Sequence, residues 1–515
     1  MRKLIAFLLL LSCLAIQAQK QKKPKAENPV PFANTVTADD LKKHLYIVAG
    51  AEMEGRETAT AGQRKAAAYI ENHFKTLGLA PGNNGSYQQF YPVFQDTLLN
   101  ASLEVNGKKF ELNKDFVVNL GSAYSATMLG SEVVFVGYGI SDSTRDDYAG
   151  INTKGKIVLI LAGSPPSTQP STTNRTQRFN PFAIQEAAAK NGAAAILLVQ
   201  TNFPRKAGGL KGNQYTNGFK RTIYPNTFSI SDAVAESIMG NDISAALEAM
   251  KNGSPVAKTY SANMLLEFSK QTMKMESSNV IGFLEGTDLK DEYLVVTAHY
   301  DHLGMRDNNV IYYGADDDGS GTVSVLELAE AFVKAKAAGK GPRRSVIFMT
   351  VSGEEKGLWG SAYYGDHPIY PLDKTTADLN IDMIGRIDPK RKVGDSTNYV
   401  YVVGDDKLSS ELKPISEAMN KKYTKLELDY KYNDPKDTER IYFRSDHYNF
   451  ARKGVPIIFY FNGTHADYHR PTDTPDKIDY QQMAIRAKLV FYTAWEMANR
   501  NEMLKRDIPL DNQTR

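Results

Sequence analysis

Residues 293–335, YLVVTAHYDHLGMRDNNVIYYGADDDGSGTVSVLELAEAFVKA, decide the fold. The run from Tyr293 to Ala298 is short and nearly all apolar, the texture of a strand covered on both faces, and it ends in His299-Tyr300-Asp301. Asn309 to Ala315 (NVIYYGA) reads as a second such strand and opens into Asp316-Asp317-Asp318-Gly319-Ser320-Gly321. Thr322 to Ala335 then carries apolar residues at the helical period. The alternation continues downstream, with strand-like RRSVIFMTVSG (343–353), ADLNIDMIG (377–385), NYVYVVG (398–404) and VPIIFYF (455–461) separated by helical patterns. The expected fold class is α/β: an open, mostly parallel mixed sheet with helices on both faces.

Upstream, Asp39 to Leu79 reads as helical, with one apolar stripe at Leu41, Leu45 and Val48 and another at Ala66, Ala67, Tyr69, Ile70, Phe74 and Leu77. Between these regions the texture changes. SEVVFVGYGI (131–140) and KGKIVLILAG (154–163) are strand-like, and QEAAAKNGAAAILLVQ (185–200) reads as a short helix, a Gly turn and a buried strand. That segment is expected to be an α+β domain inserted in the main one. At the N-terminus, Arg2 and Lys3 precede a 13-residue apolar run, Leu4 to Ile16, and Ala18 supplies a small residue for cleavage, the pattern of a secretory signal. The expected organisation is a signal peptide at 1–18, a polar basic linker at 19–35, the N-terminal part of the main domain at 36–115, the insertion at 116–262, the catalytic part at 263–505 and a tail at 506–515.

The composition sets bounds. The chain has 515 residues, 42% hydrophobic and 23% charged, so it can bury a large core and is not intrinsically disordered. With 62 basic and 59 acidic residues the net charge is +3, which excludes whole-chain electrostatic grip on nucleic acid. No apolar run reaches the ~20 residues that a membrane helix needs. The only cysteine, Cys13, lies in the signal, so the exported chain has no disulfide framework. Leu10-Leu11-Ser12-Cys13 resembles a lipobox and makes a lipid anchor at Cys13 the alternative to cleavage after Ala18, although bulky Leu11 speaks against it. The expected destination is export, to the periplasm or the medium.

Polar residues at the strand ends carry the chemistry. His299 and Asp301, the Asp316–Asp318 run, Glu354-Glu355, Asp382, and the trio His465, Asp467 and His469 each follow a strand-like run. Singly each is weak: paired acids usually sit on a solvated helix start, and a lone aspartate can be a turn residue. Five such features in succession are hard to obtain from solvated faces, and in an open α/β sheet sites form outside the carboxyl ends of the strands. Imidazole and carboxylate without thiolate suit zinc. In each doubled carboxylate one member can ligate while its neighbour orients or moves a proton. The loose match of Asp316, Asp318, Ser320 and Glu327 to a calcium-loop template is set aside, because a strand and not a helix precedes it.

TAHYDHLG, GADDDGSG, SGEEKGLWGS, NIDMIGR and DYHRPTDTPDKI together resemble, in order, the motifs of the di-zinc exopeptidases, the family of bacterial leucyl aminopeptidases and glutamate carboxypeptidase II. The inserted stretch resembles a protease-associated domain, and EGRETATAGQRKAAAYIENHFKTLGL resembles the helical start of the same peptidases. The resemblance implies the zinc exopeptidase fold and two Zn²⁺ per chain. His299 and Asp382 would hold one, Glu355 and His469 the other, with Asp317 shared; Asp301 would fix the His299 ring, and Glu354 would be the general base. A tyrosine near the reacting carbonyl is matched by either Tyr442 or Tyr468. Two departures, Ala59 and Arg470, stand where glycine or a small residue is usual in the family.

The implied activity is a zinc-dependent exopeptidase acting on peptides, foremost an aminopeptidase in which Glu354 takes a proton from the attacking water and returns it to the departing amine. The alternatives are a carboxypeptidase for acidic peptides, using Arg386, Arg440, Arg444 or Arg470 to hold carboxylates, and a binding protein on the same fold without catalysis. A one-zinc cyclase of N-terminal glutamine is opposed by the full ligand set.

Overall fold

The apolar runs between Asn279 and Phe461 assemble into a sheet in the computed structural model, which describes residues 27–510 apart from 144, 164–179, 219–221, 252–256 and 307–308. The strands are β1 (Lys258–Leu284), β2 (Leu289–His299), β3 (Arg344–Val351), β4 (Thr375–Ile381), β5 (Tyr399–Val403), β6 (Glu427–Asp429) and β7 (Ile457–Phe461). They lie in the order β6-β5-β7-β4-β2-β3-β1. β2 is parallel to β3 and β4, β4 to β7, and β5 to β6; β5 is antiparallel to β7 and β1 to β3. The mostly parallel α/β sheet is therefore the one expected.

Side chains of successive strand residues part to opposite faces, and both faces are covered. Leu294, Val296, Val346, Phe348, Leu379 and Ile381 enter a core with the helices Ala38–Val48, Ala61–Thr76, Gly321–Ala337 and Tyr480–Asn499. Val295, Ile347, Met349, Tyr401 and Ile457 enter another with Tyr364 and Phe450, from the helices Trp359–Asp366 and His447–Ala451. Phe332 shows the packing: its ring centroid lies 5.9 Å from Phe348, 5.0 Å from Phe491 and 5.8 Å from Trp495. Each such buried side chain contributes about 1.5–3 kcal/mol.

The chain forms two compact units, one of residues up to Tyr91 and from Ser277 onward, the other Pro92–Glu276. The second is wider at both ends than the 116–262 expected, because part of the strand Gln88–Val105, together with Lys108–Phe110, shares its core through Leu103, Val105 and Phe110. In it residues 258–268 pair antiparallel with Ala126–Phe135, followed by the parallel strands Ile157–Leu161, Ala195–Val199 and Asn226–Ile230. The helix Pro181–Lys190 before Ala195–Val199 is the helix–turn–strand read from the sequence.

Several expectations need correction. Residues 39–79 are not one helix: Ala38–Val48 and Ala61–Thr76 are separated by a turn in which Glu54, Gly55, Arg56 and Ala59 have positive φ. A Cβ on Gly55 would come 2.5 Å from the Tyr312 carbonyl oxygen, so only glycine fits there. The NVIYYGA run contains a strand, Val310–Tyr312, but it pairs with Gly304–Arg306 in a separate two-stranded ribbon. Its Val310 is exposed and Ile311 and Tyr312 only half-buried, so it is not covered on both faces. The linker expected at 19–35 holds a helical turn, Val30–Ala33, and Ala33 is fully buried. The tail from 506 is also held, with Ile508 N donating to the Leu408 carbonyl. The expected signal peptide, Cys13 and residues 511–515 lie outside the described residues. Among the described residues no helix is long and apolar enough to cross a membrane.

Candidate metal centre

Five segments converge at the carboxyl ends of β2, β3, β4 and β7. His299 is the last residue of β2, Glu354 and Glu355 follow β3, Asp382 follows β4, and His469 stands on the loop after β7. The fifth, Asp316–Asp318, lies on the turn that opens the helix Gly321–Ala337. His299 Nε2 is 3.3 Å from Asp317 Oδ1, 3.7 Å from Asp382 Oδ2 and 4.0 Å from Glu354 Oε2. His469 Nε2 is 3.1 Å from both Asp317 Oδ2 and Glu355 Oε2. Asp317 thus faces both groups of donors, the arrangement a shared carboxylate requires.

Neighbouring residues fix the orientation of these groups. The side chain of Asp382 accepts from Ser445 Oγ at 2.7 Å. Asp301 meets the His299 ring with both its main chain and its carboxylate. Its main-chain oxygen is 3.1 Å from His299 Nδ1, while its carboxylate is 3.6 Å away and also accepts from Thr58 Oγ1 at 2.7 Å and from Glu354 N at 3.2 Å. Asp301 therefore positions the Glu354 backbone as well as the ring. Asp318 is occupied by the backbone, accepting from His299 N, Gly321 N and Met383 N.

In each of two sets, His299, Asp318 and Asp382, and His302, Asp317 and Glu355, the donor atoms lie within 4.8 Å of one another. Of these residues His302 was not singled out from the sequence. It is fully buried, with Nδ1 2.8 Å from Glu355 Oε1. Its only signal is a second imidazole three residues past His299, which no periodicity marks.

Electrostatics point to missing positive charge. Burial, then the Glu355 and Asp382 carboxylates, hold Glu354 well above the usual carboxylate range despite His299. Burial opposes protonation of His469, but contacts with Asp317 and Glu355 outweigh it and push this imidazole up to about 10. Among the described residues His299 Nε2, both nitrogens of His302, Asp317 Oδ2, Glu355 Oε1 and Asp382 Oδ1 are buried without a hydrogen-bond partner. Buried polar atoms normally have one. Unpartnered imidazole and carboxylate atoms gathered in two such groups fit cations, and this donor set fits zinc.

The two candidate tyrosines separate. Tyr468 lines a small cavity with Asp317, Glu354 and Asp382, walled by Met383, Ile441, Phe459 and Phe461. Its ring stacks on His469 with centroids 3.9 Å apart. Tyr442 is buried against Phe443, His447 and Tyr448 and lines a different cavity of about 470 Å³ that holds none of the metal-site residues. The four arginines separate too. Arg444 lines the small cavity and donates to Tyr468 Oη at 3.2 Å, Arg386 pairs with Asp467 at 3.2 Å, Arg440 lies over Phe443, and Arg470 is exposed.

Comparison with known proteins bears on this centre. The chain is 30% identical over 217 residues to a probable leucine aminopeptidase of Arthroderma otae, covering 41% of this chain and 56% of that protein. It is 25% identical over 357 residues to a probable glutamate carboxypeptidase of Arabidopsis thaliana, covering 61% and 47% respectively. The chain spans about half the length of the curated relatives it matches. An aminopeptidase from Aneurinibacillus sp. strain AM-1 shares the fold, with a TM-score of 0.53 at 20% identity over 94% of this chain and 99% of that one. The model of peptidase family M28 matches residues 279–494, the segment that supplies every donor of the centre.

Proposed function

We propose that the chain is a zinc-dependent exopeptidase, an aminopeptidase that removes N-terminal residues from peptides. The observation that carries the reading is that His299, Asp317, Glu354, Glu355, Asp382 and His469 cluster, with buried unpartnered donor atoms on His299, Asp317, Glu355 and Asp382. His299 and Asp382 would hold one zinc, Glu355 and His469 the other, with Asp317 shared. Bound zinc supplies Lewis acidity and lowers the pKa of water towards neutrality. Glu354 accepts the proton of the attacking water and delivers it to the departing amine. The Tyr468 hydroxyl, at the mouth of the same cavity, donates towards the carbonyl oxygen as charge develops there. The apolar wall of Met383, Ile441, Phe459 and Phe461 receives an apolar side chain.

Around this core we place export by the signal peptide at 1–18, with a lipid anchor at Cys13 as the alternative, and a protease-associated domain in the second unit. The test is a panel of aminoacyl anilides and N-blocked dipeptides. The anilides should be cleaved, the activity lost to a chelator and regained with zinc. A second reading, a carboxypeptidase, is favoured by Arg444, whose guanidinium lines the cavity and could hold a substrate carboxylate bidentately. Cleavage of the blocked dipeptides alone would select it.

A further inference from the structure

We propose that Thr297, Asn380 and Ser445 form a one-way chain of hydrogen bonds that starts at a protonated Asp378 and ends on Asp382, holding that metal ligand as an oriented anion. The proposal rests on the zinc reading above and adds to it the positioning residues that stand behind one ligand. Asp378, Asn380 and Asp382 occupy every second position along β4 and just past it, so they share one face. Thr297 of β2 lies opposite Asn380 in the register. The same side of the sheet carries the apolar Val295, Ile347 and Ile457, and Thr297, Asp378, Asn380, Asp382 and Ser445 are all buried. A polar row in such a place needs partners within the protein.

The direction of the chain follows from counting protons. Asp382, as a ligand, is an ionised carboxylate and can only accept. Its Oδ2 is 2.7 Å from Ser445 Oγ, so the single hydroxyl proton of Ser445 points to it. Ser445 Oγ then accepts from Asn380 Nδ2 at 2.9 Å, which turns the amide oxygen of Asn380 towards Thr297. Thr297 Oγ1 stands 2.8 Å from that oxygen and 2.8 Å from Asp378 Oδ1, with one proton for the two contacts. An amide oxygen carries no proton, so the Thr297 proton goes to Asn380. The contact with Asp378 is a hydrogen bond only if Asp378 brings a proton of its own, as a neutral acid. Its setting agrees. Burial holds the Asp378 carboxyl well above the usual carboxylate range despite the Thr297 contact, and the Asp446 carboxylate adds to the shift. Asp378 Oδ2 is buried with no hydrogen-bond partner among the described residues, a position far costlier for an ionised carboxylate than for an acid carbonyl. At the other end the chain engages one oxygen of Asp382 and leaves Oδ1 without a protein partner among the described residues.

Two measurements on the full chain test this. The first is the infrared difference spectrum at pH 8 between wild type and Asp378→Asn, which should contain the carbonyl band of a protonated carboxylic acid. The second is zinc affinity, read by titrating the metal-free chain against a chromophoric chelator, with folding followed by circular dichroism. Thr297→Val keeps the shape and removes the hydroxyl, and it should weaken zinc binding roughly 10–100-fold; Thr297→Ser, which returns the hydroxyl, should restore it. Absence of the acid band overturns the direction of the chain, and this arm stands whether or not Thr297→Val folds. Wild-type zinc affinity in Thr297→Val overturns the hold on Asp382, as does equal loss in Thr297→Val and Thr297→Ser, which marks a packing role. A wild-type chain that binds no zinc overturns the zinc reading itself, whatever the infrared spectrum contains.

Discussion

Arg56 is the strongest single test of how the fold holds the centre together. Its guanidinium is fully buried and donates to four main-chain oxygens: Tyr300 at 2.6 Å, Val48 at 2.9 Å, Tyr313 at 2.8 Å and Gly314 at 2.9 Å. Those oxygens belong to the end of a helix, to the residue between His299 and Asp301, and to the approach to Asp316–Asp318. Burial lowers its pKa to about 10, offset by Asp301, Asp318 and Asp317, so it stays charged at neutral pH. Arg56→Met keeps most of the volume but strands the four carbonyls. At the lower bound of about 1 kcal/mol for each unsatisfied buried group the loss is about 4 kcal/mol, within the ~3–5 kcal/mol seen when one partner of a buried charged network is removed. Trp359 and Trp495 are the only tryptophans and both lie in the first unit, so urea unfolding followed by fluorescence reports on the right part of the chain. The measurement belongs in a chelator, where zinc loss cannot add to the effect. A deficit below about 1 kcal/mol would refute the assignment of Arg56 as the tie between these segments.

Other outcomes follow from the same geometry. Glu354→Gln should lower kcat by about 10²–10⁴-fold while zinc content stays at the wild-type level; near-normal turnover with metal bound would remove Glu354 from the base role. Tyr468→Phe should lower kcat with little change in stability, whereas Tyr442→Phe should leave kinetics alone, since the Tyr442 hydroxyl has no hydrogen-bond partner among the described residues and sits outside the small cavity; the reverse pattern would exchange their roles. Asp405 is fully buried, and burial raises its carboxyl to about 7 from 3.8. The folded chain thus binds this proton more tightly than the unfolded one, so stability is lost as pH rises from about 4 to 7 and is level above, by on the order of 4 kcal/mol. Asp405→Asn should therefore raise the Tm more at pH 8 than at pH 5; an equal shift at both would show that the carboxyl is not protonated in the fold.

Much of this was legible because two physical signals are strong. Leu294, Val295 and Val296 are apolar in succession, and only a strand covered on both faces wants that; the structure sends Leu294 and Val296 one way and Val295 the other. The polar residues that end such runs had few other reasons to recur. The failures are equally physical. The break at 49–60 turns on Arg56 and Ala59 in left-handed conformations, for which neither side chain gives a sign, while the stripes on both sides are truly helical. The short apolar run at Val310–Tyr312 looks the same in a half-exposed ribbon as in a buried sheet. His302 sits past the end of β2, where no alternation says which way a side chain faces.

The division of labour among the aspartates was the least legible of all, and it follows one rule. Asp318 accepts three backbone N–H groups, and Asp473 accepts those of Asp316 and Asp317. Charge-assisted bonds of this kind satisfy a buried carboxylate within the protein and give it a structural task. Asp317 Oδ2, Asp382 Oδ1 and Glu355 Oε1 have no such partner among the described residues. The first group shapes the turn, and because it does, the second can be held unsatisfied and close together, which is the condition for binding a cation. Asp317 and Asp318 are adjacent and chemically identical in the sequence. Only the backbone around them, which directs N–H groups at one and not at the other, makes one a scaffold and leaves the other with an unsatisfied oxygen.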